Sequence, residues 1–99
     1  MLKPKFKMYQ EVVLVRTAVY DDLFGGPVTL RKGQGGVVVL IHLAAGVPDV
    51  GYEVEFFDGK GETIAVSTVI EKDLAALPGG HPGVEEAKPR RNRSRSRAA

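Results

Sequence analysis

Residues 51–66 constrain the fold more than any other part of the chain, because apolar and polar residues alternate on both sides of a glycine-flanked turn. This alternation is typical of a β-hairpin with one buried face. Side chains alternate across a strand, so every second residue shares a face. The first strand is predicted to bury Tyr52, Val54 and Phe56. The return strand is predicted to bury Ile64, Val66 and Ile70.

The turn of this hairpin decides which residues face each other. For Val54 to lie opposite Val66, and Phe56 opposite Ile64, the loop must contain an odd number of residues. Residues 59–61, Gly-Lys-Gly, meet this condition if a glycine takes a left-handed conformation. We therefore predict a hairpin whose two apolar faces meet on one side of a sheet.

Other apolar segments extend the prediction to an all-β domain. Residues 11–16 and 37–43 have the length and β-branched composition of strands, and residues 28–30 form a shorter one. Residues 71–74 are predicted to form a single helical turn that buries Leu74. Short strands, glycine-rich turns and almost no helix favour a small, partly open, five-stranded barrel.

Charge divides the chain near residue 77. Residues 1–77 carry eight cations and ten carboxylates, whereas residues 78–99 carry six cations and two carboxylates. Residues 78–83 are rich in proline and glycine, and residues 84–99 contain too few apolar side chains to form a core. We predict a domain at residues 1–77, followed by a linker and a disordered, Arg/Ser-rich basic tail at residues 78–99.

Residues 20–27 are predicted to form a long surface loop, since they combine turn-forming residues with two large apolar side chains. These two residues, Leu23 and Phe24, must find cover elsewhere. They could lie on residues 37–43, which are apolar on both faces and therefore need cover on both. The other possible cover is a second protein chain, so Leu23 and Phe24 are the candidate partner-binding residues.

Candidate catalytic groups are few. Glu53 and Glu55 share a strand face at a separation of roughly 7 Å. They could form an acid–base pair or bind a cation, but such carboxylates are commonplace on solvated sheets. His42 has no second histidine within the domain, so a hydrogen bond at a strand end explains it better than a multi-histidine metal site. Because nucleophile and phosphate-loop motifs are absent, we predict no enzyme activity, cofactor, metal site or small-molecule substrate.

The chain contains no cysteine, so neither disulfides nor thiolate metal sites are available. Residues 1–7 lack the apolar region of a signal peptide, and no apolar run is long enough to cross a bilayer. These features predict a soluble, cytoplasmic protein that does not contact membranes.

The tail has the strongest charge bias in the chain. Residues 88–97 contain six cations, which could contact nucleic-acid phosphates with release of counterions. Binding of an acidic protein surface and a merely solubilising role are the alternatives. If nucleic acid is bound, the candidate contacts are the five arginines: Arg90, Arg91, Arg93, Arg95 and Arg97.

Several motifs resemble those of a family of small bacterial proteins of unknown function, often single domains with an SH3-like barrel. The motifs are Tyr-x-Glu-Val-Val-Leu-x-Arg at residues 9–16, Lys-Gly at 32–33, Gly-Val-Val at 36–38, residues 51–58 leading into 61–66, and Asp-Leu at 73–74. The resemblance covers residues 7–77 and implies an SH3-like barrel. Members are often encoded beside toxin-like genes, which implies an antitoxin-like or other partner-binding role.

A more distant resemblance points to a metalloenzyme. Residues 31–38 and 46–49, followed by Tyr-x-Val-x-Phe at 52–56, are similar to the barrel of nitrile hydratase β subunits and their small activator proteins. This similarity implies a maturation role.

Together, these observations predict a non-enzymatic protein that binds a protein partner, as an antitoxin-like protein or a small accessory subunit. The first alternative is an RNA-associated SH3-like barrel that uses its basic C-terminal arm. The second is an activator of a metalloenzyme such as nitrile hydratase.

Overall fold

The computed structural model describes residues 3–43 and 48–85, and this part of the chain is built from β-strands. The strands are β1 (Met8–Leu14), β2 (Ala18–Asp22), β3 (Gly26–Leu30), β4 (Gly35–His42), β5 (Gly51–Phe57), β6 (Thr63–Ile70), β7 (Leu74–Ala76) and β8 (Pro82–Val84). A single 3-10 turn, Glu71–Asp73, separates β6 from β7, as predicted. The described residues contain no helix long and apolar enough to span a bilayer.

All strands belong to one antiparallel sheet in the order β3-β2-β6-β5-β4-β1-β7, and β8 also pairs with β1. The ends of this order, β3 and β7, do not pair with each other, so the sheet is not closed. The prediction of a partly open, all-β fold is therefore confirmed. The predicted number of five strands is too low, because β2, β7 and β8 were not expected.

The core lies on one face of the curved sheet and draws residues from almost every strand. Its largest fully buried apolar side chains are those of Tyr52, Phe6, Phe56 and Leu14. The rings of Phe6 and Tyr52 meet edge to face, with centroids 5.4 Å apart. The complete set is Phe6, Val12, Leu14, Leu30, Val38, Val50, Tyr52, Val54, Phe56, Ala65, Val69 and Leu74.

The pairing of β5 with β6 begins as predicted and then departs from the prediction. Phe57 lies opposite Thr63 across a loop of odd length, and Gly61 has the expected left-handed conformation, with φ 82°. One step further, Phe56 pairs with Ala65 and not with Ile64, because a β-bulge shifts the register. One extra residue in a strand turns every following side chain to the opposite face.

The bulge therefore exchanges the two faces of β6. The predicted buried face of Ile64, Val66 and Ile70 is wrong. The residues of β6 that face the core are Ala65, Ser67 and Val69. Ile64 is 39% exposed. The predicted face of β5 is correct, since Tyr52, Val54 and Phe56 are all fully buried.

Residues 20–27 form a hairpin and not the long loop predicted from their composition. Strand β2 pairs with β3 from Ala18 opposite Leu30 to Asp22 opposite Gly26, which leaves a three-residue turn. Gly26 has φ 86°, a conformation that suits glycine at this position. The Asp22 carboxylate accepts the Val66 N–H at 3.0 Å and so joins this hairpin to β6.

Ordered pairing continues past the predicted domain boundary at residue 77. Residues 77–81 form a loop whose two ends bond to Glu11. The Glu11 carbonyl accepts the Leu77 N–H, and the Glu11 N–H donates to the His81 carbonyl. Strand β8 then pairs with the first residues of β1. Residues 78–83, predicted to form a linker, therefore pair in part with β1. The predicted disorder of the basic tail concerns residues 86–99, which lie outside the described residues.

Candidate functional site

Strand β1 follows its neighbour β4 for only part of the length of β4. The pairs run from Val13 opposite Gly35 to Glu11 opposite Val37. Beyond Glu11, the first part of β1 pairs with β8 instead, on the same side of β1 as β7. A gap therefore opens between β1 and the second half of β4.

A tight turn at the start of β1 produces this gap. The Gln10 N–H donates to the Lys7 carbonyl at 3.1 Å, and Tyr9 has φ 64°. This geometry corresponds to a type II turn, whose third residue needs a positive φ and is usually glycine or asparagine. A tyrosine in this conformation costs about 1–2 kcal/mol. The surrounding contacts must therefore hold the turn in place.

Strand β8 supplies one set of those contacts. Gly83, with φ 82°, lies so close to β1 that a Cβ would come within 2.8 Å of the Lys7 Cβ and 2.9 Å of the Met8 carbonyl oxygen. The Lys7 ammonium also pairs with the Glu85 carboxylate at 2.8 Å. Glycine is thus required at position 83 for the close approach of β8 to the turn.

Tyr52 of β5 supplies a second set of contacts, to the residues just before the turn. Its buried hydroxyl accepts the N–H groups of Lys5 and Phe6 at 2.9 and 3.1 Å, and donates to the Glu71 carboxylate at 2.5 Å. Burial, followed by this bond to Glu71, raises the pKa of Tyr52 to about 12. The hydroxyl therefore stays protonated in the folded state and fixes the path of the chain into β1.

The gap is a concave, mainly apolar surface that we call the β1–β4 groove. Its volume is about 530 Å³, within the range of ligand-binding pockets. Its lining residues are Pro4, Met8, Tyr9, Leu40, Ile41, Leu43, Val84 and Glu85. Four large apolar members are exposed: Leu43 (54%), Tyr9 (53%), Val84 (45%) and Leu40 (43%). The groove thus exposes several large apolar side chains to water at one site.

The groove also exposes backbone. In the described part of the chain, no strand pairs with residues 38–42 of β4 on the side that faces β1. On the other side, β4 pairs with β5 from Val38 opposite Val54 to His42 opposite Gly51, with a β-bulge that leaves Val39 without an opposite residue. One edge of β4 therefore retains backbone donors and acceptors that no described strand uses.

The predicted binding residues Leu23 and Phe24 lie away from the groove. They occupy the turn between β2 and β3, and they are 51% and 85% exposed. In the sheet, β5 and β6 separate this hairpin from β4. The two residues therefore do not cover β4, and the surface expected to combine them with residues 37–43 is divided into two separate apolar sites.

The candidate catalytic groups are engaged in local pairs. His42 Nε2 lies 2.8 Å from a Glu53 carboxylate oxygen on the neighbouring strand. Glu55 accepts a hydrogen bond from the Thr63 hydroxyl. Among the described residues, no three His, Cys, Asp or Glu side chains are grouped to hold a metal ion.

Buried carboxylates stabilise the fold near the 3-10 turn. Asp73 is 6% exposed, accepts a hydrogen bond from the Tyr20 hydroxyl at 3.0 Å and lies 3.7 Å from the Arg16 guanidinium. Burial, followed by the bond to Asp73, raises the pKa of Tyr20 to about 12. The bond ties the β2–β3 hairpin to the turn after β6.

The sequence predicts part of the groove but not its position. Residues 37–43 are predicted to need cover on both faces, and Leu40 and Leu43 of this segment are exposed. Tyr9 and Val84 were missed, because their role depends on the turn of β1 and on the return of β8. The glycines at 80 and 83, which allow the close approach of this segment to β1, are the signal for β8 in the sequence, but they are equally typical of a linker. The arginines predicted to contact nucleic acid, residues 90–97, lie outside the described residues.

Comparison with known proteins gives one match. The model of a family described as "Domain of unknown function (DUF4926)" matches residues 10–76. No curated protein and no solved structure matches the chain. The matched residues include all of β2 to β7 and most of β1, and they end before β8.

Proposed function

The chain belongs to this family of domains of unknown function, and from that premise we propose that it is a non-enzymatic protein-binding module that holds its partner in the β1–β4 groove. The observation that carries the proposal is the groove itself, where four large apolar side chains are 43–54% exposed beside an edge of β4 that no described strand covers. Exposed apolar surface of this kind marks interaction sites in soluble proteins.

The hairpin turn with Leu23 and Phe24 is a weaker candidate for the same function. Phe24 is more exposed than any groove residue, but it stands on a convex turn. Apolar anchors contribute most to binding where they are enclosed and lose contact with water. We therefore assign the main contact to the groove and a supplementary contact, if any, to the hairpin.

Two family resemblances support a more specific role. The resemblance to small barrels of the SH3 type, encoded beside toxin-like genes, supports an antitoxin-like protein or a small accessory subunit of the cytoplasm. The more distant resemblance to nitrile hydratase activators supports a maturation role of the same general kind. In each case, the protein acts by holding another protein chain.

RNA binding is the second candidate function, favoured by the six cations within residues 88–97. The tail would then supply the contacts through Arg90, Arg91, Arg93, Arg95 and Arg97. Such binding should weaken steeply as salt rises, because each neutralised phosphate releases a counterion.

The test is affinity purification of the full chain from its native cells, with and without nuclease. We expect a protein partner that resists nuclease and is lost from a variant carrying Leu40→Asp and Leu43→Asp. The matched control carries Leu23→Ser and Phe24→Ser at the other exposed site. Circular dichroism and thermal melting of each variant check that the fold is intact.

Other outcomes would favour other functions. A partner lost only from the hairpin control would move the binding surface to Leu23 and Phe24. A complex that disappears with nuclease, and with glutamine at the five tail arginines, would replace protein binding by RNA binding.

A further inference from the structure

We infer that the segment held in the β1–β4 groove is an acidic, extended stretch of a partner protein, which adds to the sheet as a strand beside β4. This inference rests on the proposed function and specifies its binding mode and the chemistry of the partner. It joins three observations: the edge of β4 that no described strand covers, the apolar walls of the groove, and the positive charge of the sequence that follows Glu85 at the rim of the groove.

The backbone favours an extended segment over a helix. A strand that lies along residues 38–42 can hydrogen-bond to the edge of β4 that faces β1, as an added strand does in β-augmentation. A helix would leave these backbone groups without partners once water is displaced, which costs free energy for each group.

The walls favour alternating side chains. The side chains of an added strand point to opposite faces, so every second residue would face Tyr9, Leu40 and Val84 in the groove. The remaining residues would face water. The partner segment should therefore have apolar residues at every second position.

The charge at the rim favours an acidic partner. The described fold ends at Glu85, which lines the groove, and residues 86–99 carry six cations and one carboxylate. Lys88 follows Glu85 by only three positions in the sequence. Cations attached at the rim attract carboxylates that flank the bound segment.

The same composition argues against two other occupants. Residues 86–99 contain no apolar residue larger than alanine or proline, so this tail has no side chain that could fill the groove. A second copy of the chain would bring two such cationic tails to one interface, where they repel each other. A separate, acidic partner satisfies both the groove and the tail.

The test uses a phage library of random peptides of about twelve residues, long enough to span a strand with its flanks. The full chain is the target, and the Leu40→Asp variant removes peptides that bind elsewhere. We expect enrichment of apolar residues at every second position, with Asp and Glu at the flanks. Hydrogen exchange with a selected peptide should protect amides of residues 38–42.

The charge is tested on the same peptide. Replacing the five tail arginines by glutamine in the full chain should weaken its binding roughly tenfold, or about 1.4 kcal/mol. Equal binding to this variant, or enrichment of basic flanks, would overturn the acidic assignment.

Different results would contradict the binding mode and the proposed function. Peptides with apolar residues three and four apart, lost from the Leu40→Asp variant, would overturn strand addition and leave the groove as a protein-binding site. Self-association of the full chain, abolished by Leu40→Asp, would identify a second copy as the occupant. A library in which no peptide depends on Leu40 would count against the groove altogether.

Discussion

The two halves of β4 have very different surroundings. Residues 35–37 lie between β1 and β5, and Gly36 is packed so tightly that a Cβ would come within 2.8 Å of the Glu55 carbonyl oxygen. Residues 38–42 keep β5 on one side and face the groove on the other, where Leu40 is 43% exposed. The difference comes from β1, which leaves β4 at the turn around Tyr9.

This contrast teaches that an apolar strand does not by itself identify a core. The first half of β4 and Val38, which is fully buried, contribute to stability, whereas the rest of the second half offers backbone and side chains to another molecule. If this view is correct, substitutions in and around the first half and at Val38 should reduce stability, and those at the exposed residues of the second half should reduce binding.

The largest effect is expected from Phe56→Ala. Phe56 is fully buried and lies opposite Gly36, so its removal leaves a cavity that should lower the free energy of unfolding by about 3–5 kcal/mol. Leu40→Ala in the second half is the control, with an expected loss below about 1 kcal/mol. Urea denaturation measures both. Similar losses in the two variants would remove the distinction between the halves.

A smaller effect is expected from Gly36→Ala. The new methyl group would meet Val54 at 2.7 Å and the Glu55 carbonyl at 2.8 Å. Such overpacking should cost about 1–3 kcal/mol. Gly35→Ala is the matched control on the same strand, because its Cβ would meet nothing closer than the Val12 carbonyl oxygen at 3.9 Å. We expect the control to melt within a few degrees of the wild type, and equal melting of both variants would contradict the tight packing of Gly36.

Tyr52→Phe tests what holds β1 away from β4. The variant removes the acceptor for the Phe6 N–H and should lower the free energy of unfolding by about 1–2 kcal/mol near neutral pH. The pKa of Tyr52, about 12 in the folded state, lies above the usual value of 10. Its contribution is therefore fully present below pH 10 and is lost as the pH rises from 10 to 12.

Denaturation of single variants at several pH values separates this contribution from that of Tyr20, the other tyrosine with a raised pKa. Wild-type stability should fall between pH 10 and 12, and Tyr52→Phe should fall less steeply. Tyr20→Phe should also fall less steeply, because the pKa of Tyr20 is raised to about 12 as well, and a variant with both substitutions should lose both contributions. A Tyr52→Phe variant with an unchanged slope above pH 10 would show that this hydroxyl is not a buried anchor.

The smallest effect on stability is expected from Tyr9→Asn. Asparagine accepts the φ of 64° more readily than tyrosine, so the turn should become more stable by up to about 1 kcal/mol. Binding should weaken at the same time, because Tyr9 lines the groove. A stability gain without loss of partner would mean that the turn matters only for the shape of β1.

The comparison of β5 with β6 explains how far the sequence could predict the fold. Along β5, polar glutamates alternate with apolar residues, and the burial of Tyr52 and Phe56 follows directly from this pattern. Along β6, apolar residues occur at both parities, so the pattern cannot choose a face. A bulge at Ile64 makes the choice, and bulges depend on the partner strand and not on local composition.

The groove could be predicted only in part, for a similar reason. Leu40 and Leu43 belong to a segment whose excess of apolar residues is visible in the sequence. The gap beside them depends on Tyr9 in an unusual conformation and on Val84, which comes from the far end of the chain. Neither residue carries a local signal for its role, since a tyrosine at positive φ is rare and residues 82–84 are short for a strand.

The pairing of β1 with β8 has a consequence for the order of events during synthesis. Met8 leaves the ribosome long before its partner Val84, which is made after the other described strands. Contacts between distant parts of a chain form slowly compared with local ones. One wall of the groove is therefore missing until β8 emerges, so a partner that needs this wall can bind only after that point. Partner binding by ribosome-held chains that end before and after β8 would measure this step.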